Sequence, residues 1–359
     1  MFISIDRSPQ AIDEVGATSL SLPRHRRAQL VQHFDVLPDA ASNALGVSKP
    51  LESVGKSSSL PARLWQYQRE RFPLHKHGLL VAAFSFAGMS LSAALRGNIS
   101  LPSAGAFLVC FATTLSTFLM LRIADEYKDR DDDAKFRPYL PVPRGLVTLP
   151  ELSAVFKICA LLQFSLNAIF CPQLLLLLAG IWSYLFLMSK EFFASQWLRR
   201  HPVVYLLSHM VILPLVDAYI TACDWLPSGH SAPIGVVFFL CLSFFNGLVL
   251  ELGRKIRSRQ QEEVGVDTYS AIWGLPGSLT VWSVAVSVAA LFTIFTAAAS
   301  GTLVTVSAVT LLMLLVLHNV AFKAAQGKLT NTGEQMEKVS ASWLLTLYLS
   351  LGFAPFFNL

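Results

Sequence analysis

Nine stretches of this chain are apolar for long enough to cross a lipid bilayer. An α-helix rises about 1.5 Å per residue, so about 20 residues are needed to traverse a hydrocarbon core ~30 Å thick. The runs lie near residues 78–95, 103–123, 152–170, 173–189, 202–222, 232–252, 278–299, 303–322 and 341–357. Of the 359 residues, 53% are hydrophobic and only 14% charged, which excludes an ordinary soluble globule. The expected fold class is all-α, a polytopic membrane protein of about nine transmembrane helices.

The charges test that expectation independently. Short loops kept in the cytosol collect Lys and Arg, whereas translocated loops lack them. Of the 28 basic residues, all but two fall before the first run or in the loops after runs two, four, six and eight; the exceptions are Arg96 and Lys157. The pattern predicts an integral, multi-pass protein with its N-terminus cytosolic and its C-terminus outside. The net charge of +5 follows from this asymmetry and calls for no nucleic-acid partner.

Cys110, Cys159, Cys171, Cys223 and Cys241 sit in or beside apolar runs without paired spacing and read as free core thiols. Residues 1–60, rich in Ser, Pro and mixed charge, are expected to form a disordered cytosolic arm ahead of a membrane domain over 61–359. Between them, RLWQYQRERFPLHKH (63–77) suits an interfacial helix.

Directly behind the second run, residues 125–145 read DEYKDRDDDAKFRPYLPVPRG, with six carboxylates and five basic side chains. Asp125, Asp129 and Asp133 are spaced i, i+4, i+8, which stacks three carboxylates along one helical ridge. Like charges at that spacing repel. A divalent cation reverses the sign, and Mg²⁺ prefers one or two carboxylates together with phosphate oxygens, so the ridge suits a metal–diphosphate headgroup. Lys128, Arg130, Arg137 and Arg144 are candidates for the remaining phosphate oxygens. A solvated juxtamembrane loop is the plain alternative. A calcium loop is excluded, because Ala134 stands where the turn glycine belongs and Leu140 at the twelfth position.

The run from Asp125 to Asp133, followed by Arg137-Pro138 and Pro143-Arg144-Gly145, resembles the first aspartate-rich motif of the UbiA superfamily of intramembrane prenyltransferases. Tyr184 and Lys190, at the end of the fourth run, resemble that family's tyrosine-and-lysine element, and ELGRKIRSRQQEEVGVDTYSAIWG from Glu251 stands where the second aspartate-rich motif belongs. The resemblance covers about residues 75–357 and departs from the pattern twice. Asp125 replaces the leading Asn, and the second motif offers Glu251, Glu262, Glu263 and Asp267 among Arg254, Lys255, Arg257 and Arg259 rather than an aspartate pair.

The resemblance implies a helical bundle with a central cavity capped by the two motif loops, Mg²⁺ as cofactor, a prenyl diphosphate as substrate, and the endoplasmic reticulum membrane as location. It implies metal ligation by Asp125, Asp129, Asp133, Glu251 and Glu263, diphosphate binding by Lys128, Arg137, Arg144, Lys190, Arg254, Lys255 and Arg257, and catalytic roles for the three aspartates, Tyr184 and Lys190. The rings of Tyr184, Tyr205, Tyr219, Phe244 and Phe245 are candidates for cation stabilisation. Within the superfamily, RPYLPVPRGLV and GRKIR…GVDTYS most resemble the fungal membrane-bound class I terpene cyclases, which ionise farnesyl or geranylgeranyl diphosphate and cyclise the chain. The alternative is prenyl transfer to an aromatic acceptor. A second class, a transporter or lipid-binding protein, would use Lys157, His209 and Asp217 as an intramembrane path, with Asp217 otherwise expected near the outer boundary.

Overall fold

A computed structural model describes residues 58–262 and 266–357. Most of the expected N-terminal arm, and Glu263, lie outside these described residues. The chain divides into two units, one ending at Arg63 and one from Leu64 onward. Of the former only residues 58–63 are described, and there Arg63 Nε donates to the Ser58 carbonyl at 3.3 Å.

Among the described residues the regular elements are all helices. In chain order the helices are α1 (Leu60–Arg71), α2 (Leu74–Leu95), α3 (Ala104–Lys128), α4 (Arg130–Phe136), α5 (Leu149–Phe170), α6 (Leu174–Ser189), α7 (Ser195–Arg200), α8 (Pro202–Met210), α9 (Ile212–Trp225), α10 (Val236–Arg254), α11 (Tyr269–Ala299), α12 (Leu303–Ala325) and α13 (Thr332–Phe357). Local chemistry sets several starts. Thr148 and Glu151 form a reciprocal capping box ahead of α5, and the Ser103 and Thr268 hydroxyls cap α3 and α11.

Eight of the apolar runs are helices long and apolar enough to cross a membrane; in this count α8 and α9 form one span, Pro202–Trp225. The expected fourth span, α6, has only 16 residues and rises about 24 Å, short of a ~30 Å core. It nonetheless runs from one end of the bundle to the other. At one end Phe170, just before α6, lies beside Gly105 at the start of α3. At the other, Glu191, just after α6, meets Lys128 at the end of α3 at 3.3 Å. Three successive non-glycine residues with positive φ, Glu191, Phe192 and Phe193 (47°, 53° and 57°), extend the crossing by a tight turn that aims the Glu191 carboxylate at Lys128. Such conformations cost of order 1–3 kcal/mol each and persist where the surroundings over-determine them.

Two ion pairs thus mark opposite ends of the bundle. Lys128–Glu191 lies at the charged end, and Arg96–Asp224, at 2.7 Å, joins the ends of α2 and α9 at the other. Polar side chains tie the helices between them, as expected where lipid provides no hydrophobic drive for helix association. Gln163 Nε2 donates to the Thr113 carbonyl and to the Ser116 and Thr117 hydroxyls, and Tyr219 OH donates to Asn167 Oδ1 at 2.7 Å. Small residues let α13 approach its neighbours. A Cβ on Gly352 would stand 2.5 Å from Ala87 Cα on α2, and one on Gly253 of α10 would stand 2.0 Å from Ser340 Oγ. All five cysteines are free.

Candidate active site at the charged end of the bundle

The backbone bonds Asp129 N–H to Asp125 C=O (2.9 Å), Asp133 N–H to Asp129 C=O (2.8 Å) and Arg137 N–H to Asp133 C=O (2.9 Å) carry the i, i+4, i+8 ridge from α3 into α4. The chain bends at Asp129, which caps both helices (φ −90°, ψ 8°). The bend separates the three carboxylates into different surroundings. Asp125 is the most open, its side chain 26% exposed, with Arg122 3.9 Å away. Asp129 and Asp133 are buried, and Asp133 is bonded by Arg137. Burial, reinforced by the neighbouring carboxylates Asp125 and Asp133, pushes the Asp129 carboxyl up to about 6. Burial also raises Asp133, opposed by the Arg137 guanidinium.

On α10, Glu251 is held by Arg254 Nε at 2.5 Å and Lys255 Nζ at 3.0 Å. This is an i, i+4 pair, but a buried one rather than a surface one. Burial lowers the Lys255 ammonium in spite of the Glu251 charge beside it.

Asp125, Glu251 and Arg254 line a cavity of about 340 Å³ between α2, α3, α6, α8, α9, α10 and α13. Below this polar mouth the lining turns apolar, through Phe84, Phe118, Leu213 and Ile220. Ser243, Asp217 and Tyr348 line its depth. Ser243 precedes Glu251 by eight residues, which is about 12 Å along α10. Asp217 is buried and bonded by the Tyr348 hydroxyl, not solvated near an outer boundary. His209 lines the same cavity.

The other expected site residues are placed elsewhere. Lys128 bonds the Tyr205 hydroxyl as well as Glu191, and borders a small recess beside Asp125 and His209. Arg144 forks onto Glu70 at 2.7 and 2.8 Å; burial would raise that carboxyl, but the hydrogen bonds from Arg144 and Gln66 hold it below its ordinary range. Arg257 packs its side chain against Gly333. Lys190 lines a separate groove of about 410 Å³ with Tyr127 and Trp182, and Tyr184 OH donates to the Ser208 carbonyl at 2.5 Å. Glu262 accepts from the Thr268 and Ser270 hydroxyls at 2.6 and 2.8 Å, a loop brace.

The aromatic expectation changes most. None of Tyr184, Tyr205, Tyr219, Phe244 and Phe245 lines the cavity; its rings are those of His77, Phe84, Phe118, His209 and Tyr348. Which face of an all-apolar helix meets a cavity is decided by packing, and no polar stripe announces it. The intramembrane path of Lys157, His209 and Asp217 is not assembled either. His209 and Asp217 share the cavity, whereas Lys157 is exposed on α5. Glu126 went unrecognised in the sequence although it is buried at the same end, where it accepts from Arg71 at 2.7 Å and Arg122 at 2.8 Å. Its only sequence signal is the i, i+4 spacing from Arg122.

Among the described residues no three His, Cys, Asp or Glu side chains converge as a ready-made metal cage. Two carboxylates, Asp125 and Glu251, do line one cavity beside a guanidinium. Mg²⁺ typically takes one or two carboxylates plus phosphate oxygens and water. The donor set therefore fits an ion that enters with a diphosphate.

The sequence model of the UbiA prenyltransferase family matches residues 71–333. Among solved structures, the fold is similar to the apo structure of a UbiA homologue from Aeropyrum pernix K1, with a TM-score of 0.59 at 16% identity over 76% of this chain and 95% of that one. It is also similar to a structure described as giving structural and mechanistic insights into the biosynthesis of digeranylgeranylglyceryl phosphate synthase in membranes, with a TM-score of 0.57 at 13% identity over 83% of this chain and 100% of that one. No curated protein sequence matches the chain.

Proposed function

Because the chain belongs to the UbiA prenyltransferase family and is an integral, multi-pass membrane protein with a prenyltransferase-type function, we propose that it ionises a prenyl diphosphate at the charged end of the bundle and cyclises the tail within the 340 Å³ cavity. Mg²⁺, held by Asp125 and Glu251, would supply charge neutralisation to the leaving diphosphate. Asp129 and Asp133 sit one and two turns further on and would tune and brace that carboxylate wall. Arg254 on the cavity wall, Lys255 beside it and Lys128 at the adjoining recess lie nearest the place where negative charge develops, the term that dominates catalysis of such ionisations. Arg144 and Arg137, engaged by Glu70 and Asp133, would fix the loop that carries them.

The observation that carries the reading is the cavity itself: two carboxylates and an arginine at one end, aromatic and aliphatic side chains beyond, and deep lining groups about 12 Å further on. Its volume stands at the low end of the ~300–1,000 Å³ typical of ligand pockets, which favours one isoprenoid over an isoprenoid plus an acceptor. The Phe84, Phe118 and Tyr348 rings line the space a cation would occupy. Transfer to an aromatic acceptor is the second reading, favoured by the family description. The basic loops support a cytosolic charged end, and the endoplasmic reticulum is the proposed membrane.

The deciding experiment incubates membranes containing the full chain with Mg²⁺ and farnesyl or geranylgeranyl diphosphate, without acceptor, and follows diphosphate release and extracted hydrocarbons. A cyclic hydrocarbon is expected. Diphosphate release that occurs only when an aromatic acceptor is added would replace cyclisation by transfer.

A further inference from the structure

His209 is fully buried, and its ring is fixed on three sides. It stacks on Tyr205 with centroids 4.0 Å apart and an interplanar angle of 15°, and Phe192 meets it edge-on at 5.6 Å. Its Nδ1 lies 2.7 Å from the Tyr205 carbonyl oxygen, one turn back on α8. A carbonyl oxygen only accepts, so Nδ1 carries the ring proton, and the other nitrogen of the neutral imidazole is a bare lone pair. That atom, Nε2, is buried with no hydrogen-bond partner, on a side chain that lines both the main cavity and the recess beside Asp125. Leaving a buried polar atom unsatisfied costs on the order of 1–3 kcal/mol, and more where no water can reach it. An exception of that kind calls for a function, and an unpartnered lone pair on a side chain that lines the cavity suits an acceptor of protons from carbon.

We propose that Nε2 of His209 is the catalytic base that ends the reaction by taking a proton from the cyclised carbocation. The inference rests on the cyclisation reading above. In the step, a C–H bond next to the cationic carbon breaks, its electron pair becomes the new C=C bond, and the proton binds Nε2. The resulting imidazolium keeps its Nδ1–H on the Tyr205 carbonyl and passes the added proton to water or to the departing diphosphate. The position of His209 on the cavity wall selects which C–H is within reach, so this residue sets the double-bond position of the hydrocarbon.

The test uses the full chain in membranes with Mg²⁺ and the prenyl diphosphate it consumes, and scores the main wild-type alkene per diphosphate released. His209→Asn retains a donor for the Tyr205 carbonyl but places nothing at Nε2. That ratio should fall by at least about tenfold, with isomeric alkenes or a water-captured alcohol in its place. His209→Gln, which restores an atom near Nε2 without its basicity, should behave alike. An unchanged alkene share in either variant overturns the assignment while leaving ionisation intact. If neither variant folds, wild-type protein decides, using substrate deuterated in turn at the two hydrogens of the deprotonated methylene. Loss of one and retention of the other supports a fixed base, and equal loss overturns it. Wild-type protein that releases no diphosphate removes the cyclisation reading, and this inference with it.

Discussion

Lys255 Nζ stands 3.0 Å from Glu251 Oε1 with both side chains less than a tenth exposed. Arg254 Nε stands 2.5 Å from the other carboxylate oxygen, so Glu251 is compensated from both sides. On the proposed reading, a diphosphate arriving with Mg²⁺ would offer each partner a replacement: metal for the carboxylate, phosphate oxygens for the cations. The exchange would keep every buried charge compensated.

Breaking that set on one side should be expensive. Glu251→Leu takes the paired carboxylate from the buried Lys255 and from Arg254 and should lose about 3–5 kcal/mol of stability, whereas Glu251→Leu with Lys255→Met should recover part of it. Thermal unfolding in detergent micelles checks this, and an additive double variant would remove the coupling.

Asp125 lines the cavity and Asp133 is engaged by Arg137. Asp125→Asn should therefore slow diphosphate release by on the order of 10²-fold with little change in melting temperature. Asp133→Asn should act mainly on stability. Equal activity losses with unchanged melting would return Asp133 to the metal-binding wall.

With its carboxyl pushed up to about 6, Asp129 has a folded-state value above its unfolded one of about 3.9. The shift stabilises the fold fully below about pH 4, and that contribution is lost as pH rises through about 6. Asp129→Asn should consequently gain on the order of 2 kcal/mol over the parent at pH 7.5 without metal, the gain closing between pH 6 and 4. Melting curves across that range test it, and a pH-independent gap would contradict it.

Gly352 faces the Ala87 backbone, where a Cβ would come within 2.5 Å of Ala87 Cα. Gly352→Ala should force α13 from α2 and cost about 1–3 kcal/mol. Phe84 on α2 and Leu344 and Tyr348 on α13 line the cavity, so turnover should fall with it. A melting point and rate equal to the parent's would argue that the helices can separate freely.

Sidedness is checked by single cysteines at exposed positions in an otherwise cysteine-free chain. In sealed microsomes with the cytosolic face outward, Ser195→Cys, at the charged end, should react with a membrane-impermeant maleimide, and Ser231→Cys, at the other, should resist it. The reverse pattern inverts the topology.

Much of the architecture is legible without coordinates, because hydrocarbon leaves a chain so little choice. An apolar run of the right length must be a helix, and the basic residues label alternate loops. Even so, α6 is too short to be assigned confidently by length, and its crossing is visible only from what its two ends touch. The aspartate spacing likewise gives the ridge, since i→i−4 periodicity is local, but not the bend at Asp129 that buries two of its carboxylates. Arg144 and Arg257 look like phosphate ligands in sequence, while Glu70 and Gly333, both distant along the chain, occupy them here.

The sequence by itself determined the solvent, the helical content and the segment where acidic residues cluster, all of which follow from composition and from periods of a few residues. Only the tertiary structure decided which residues share a cavity: that Asp125 lines it with Glu251 and Arg254, that Phe84 and Phe118 line the interior in place of the expected rings, and that His209, whose Nε2 has no partner, joins them. In a helix apolar on every face, rotation about its axis is fixed by close packing with helices far away in the chain, and no local pattern encodes that angle.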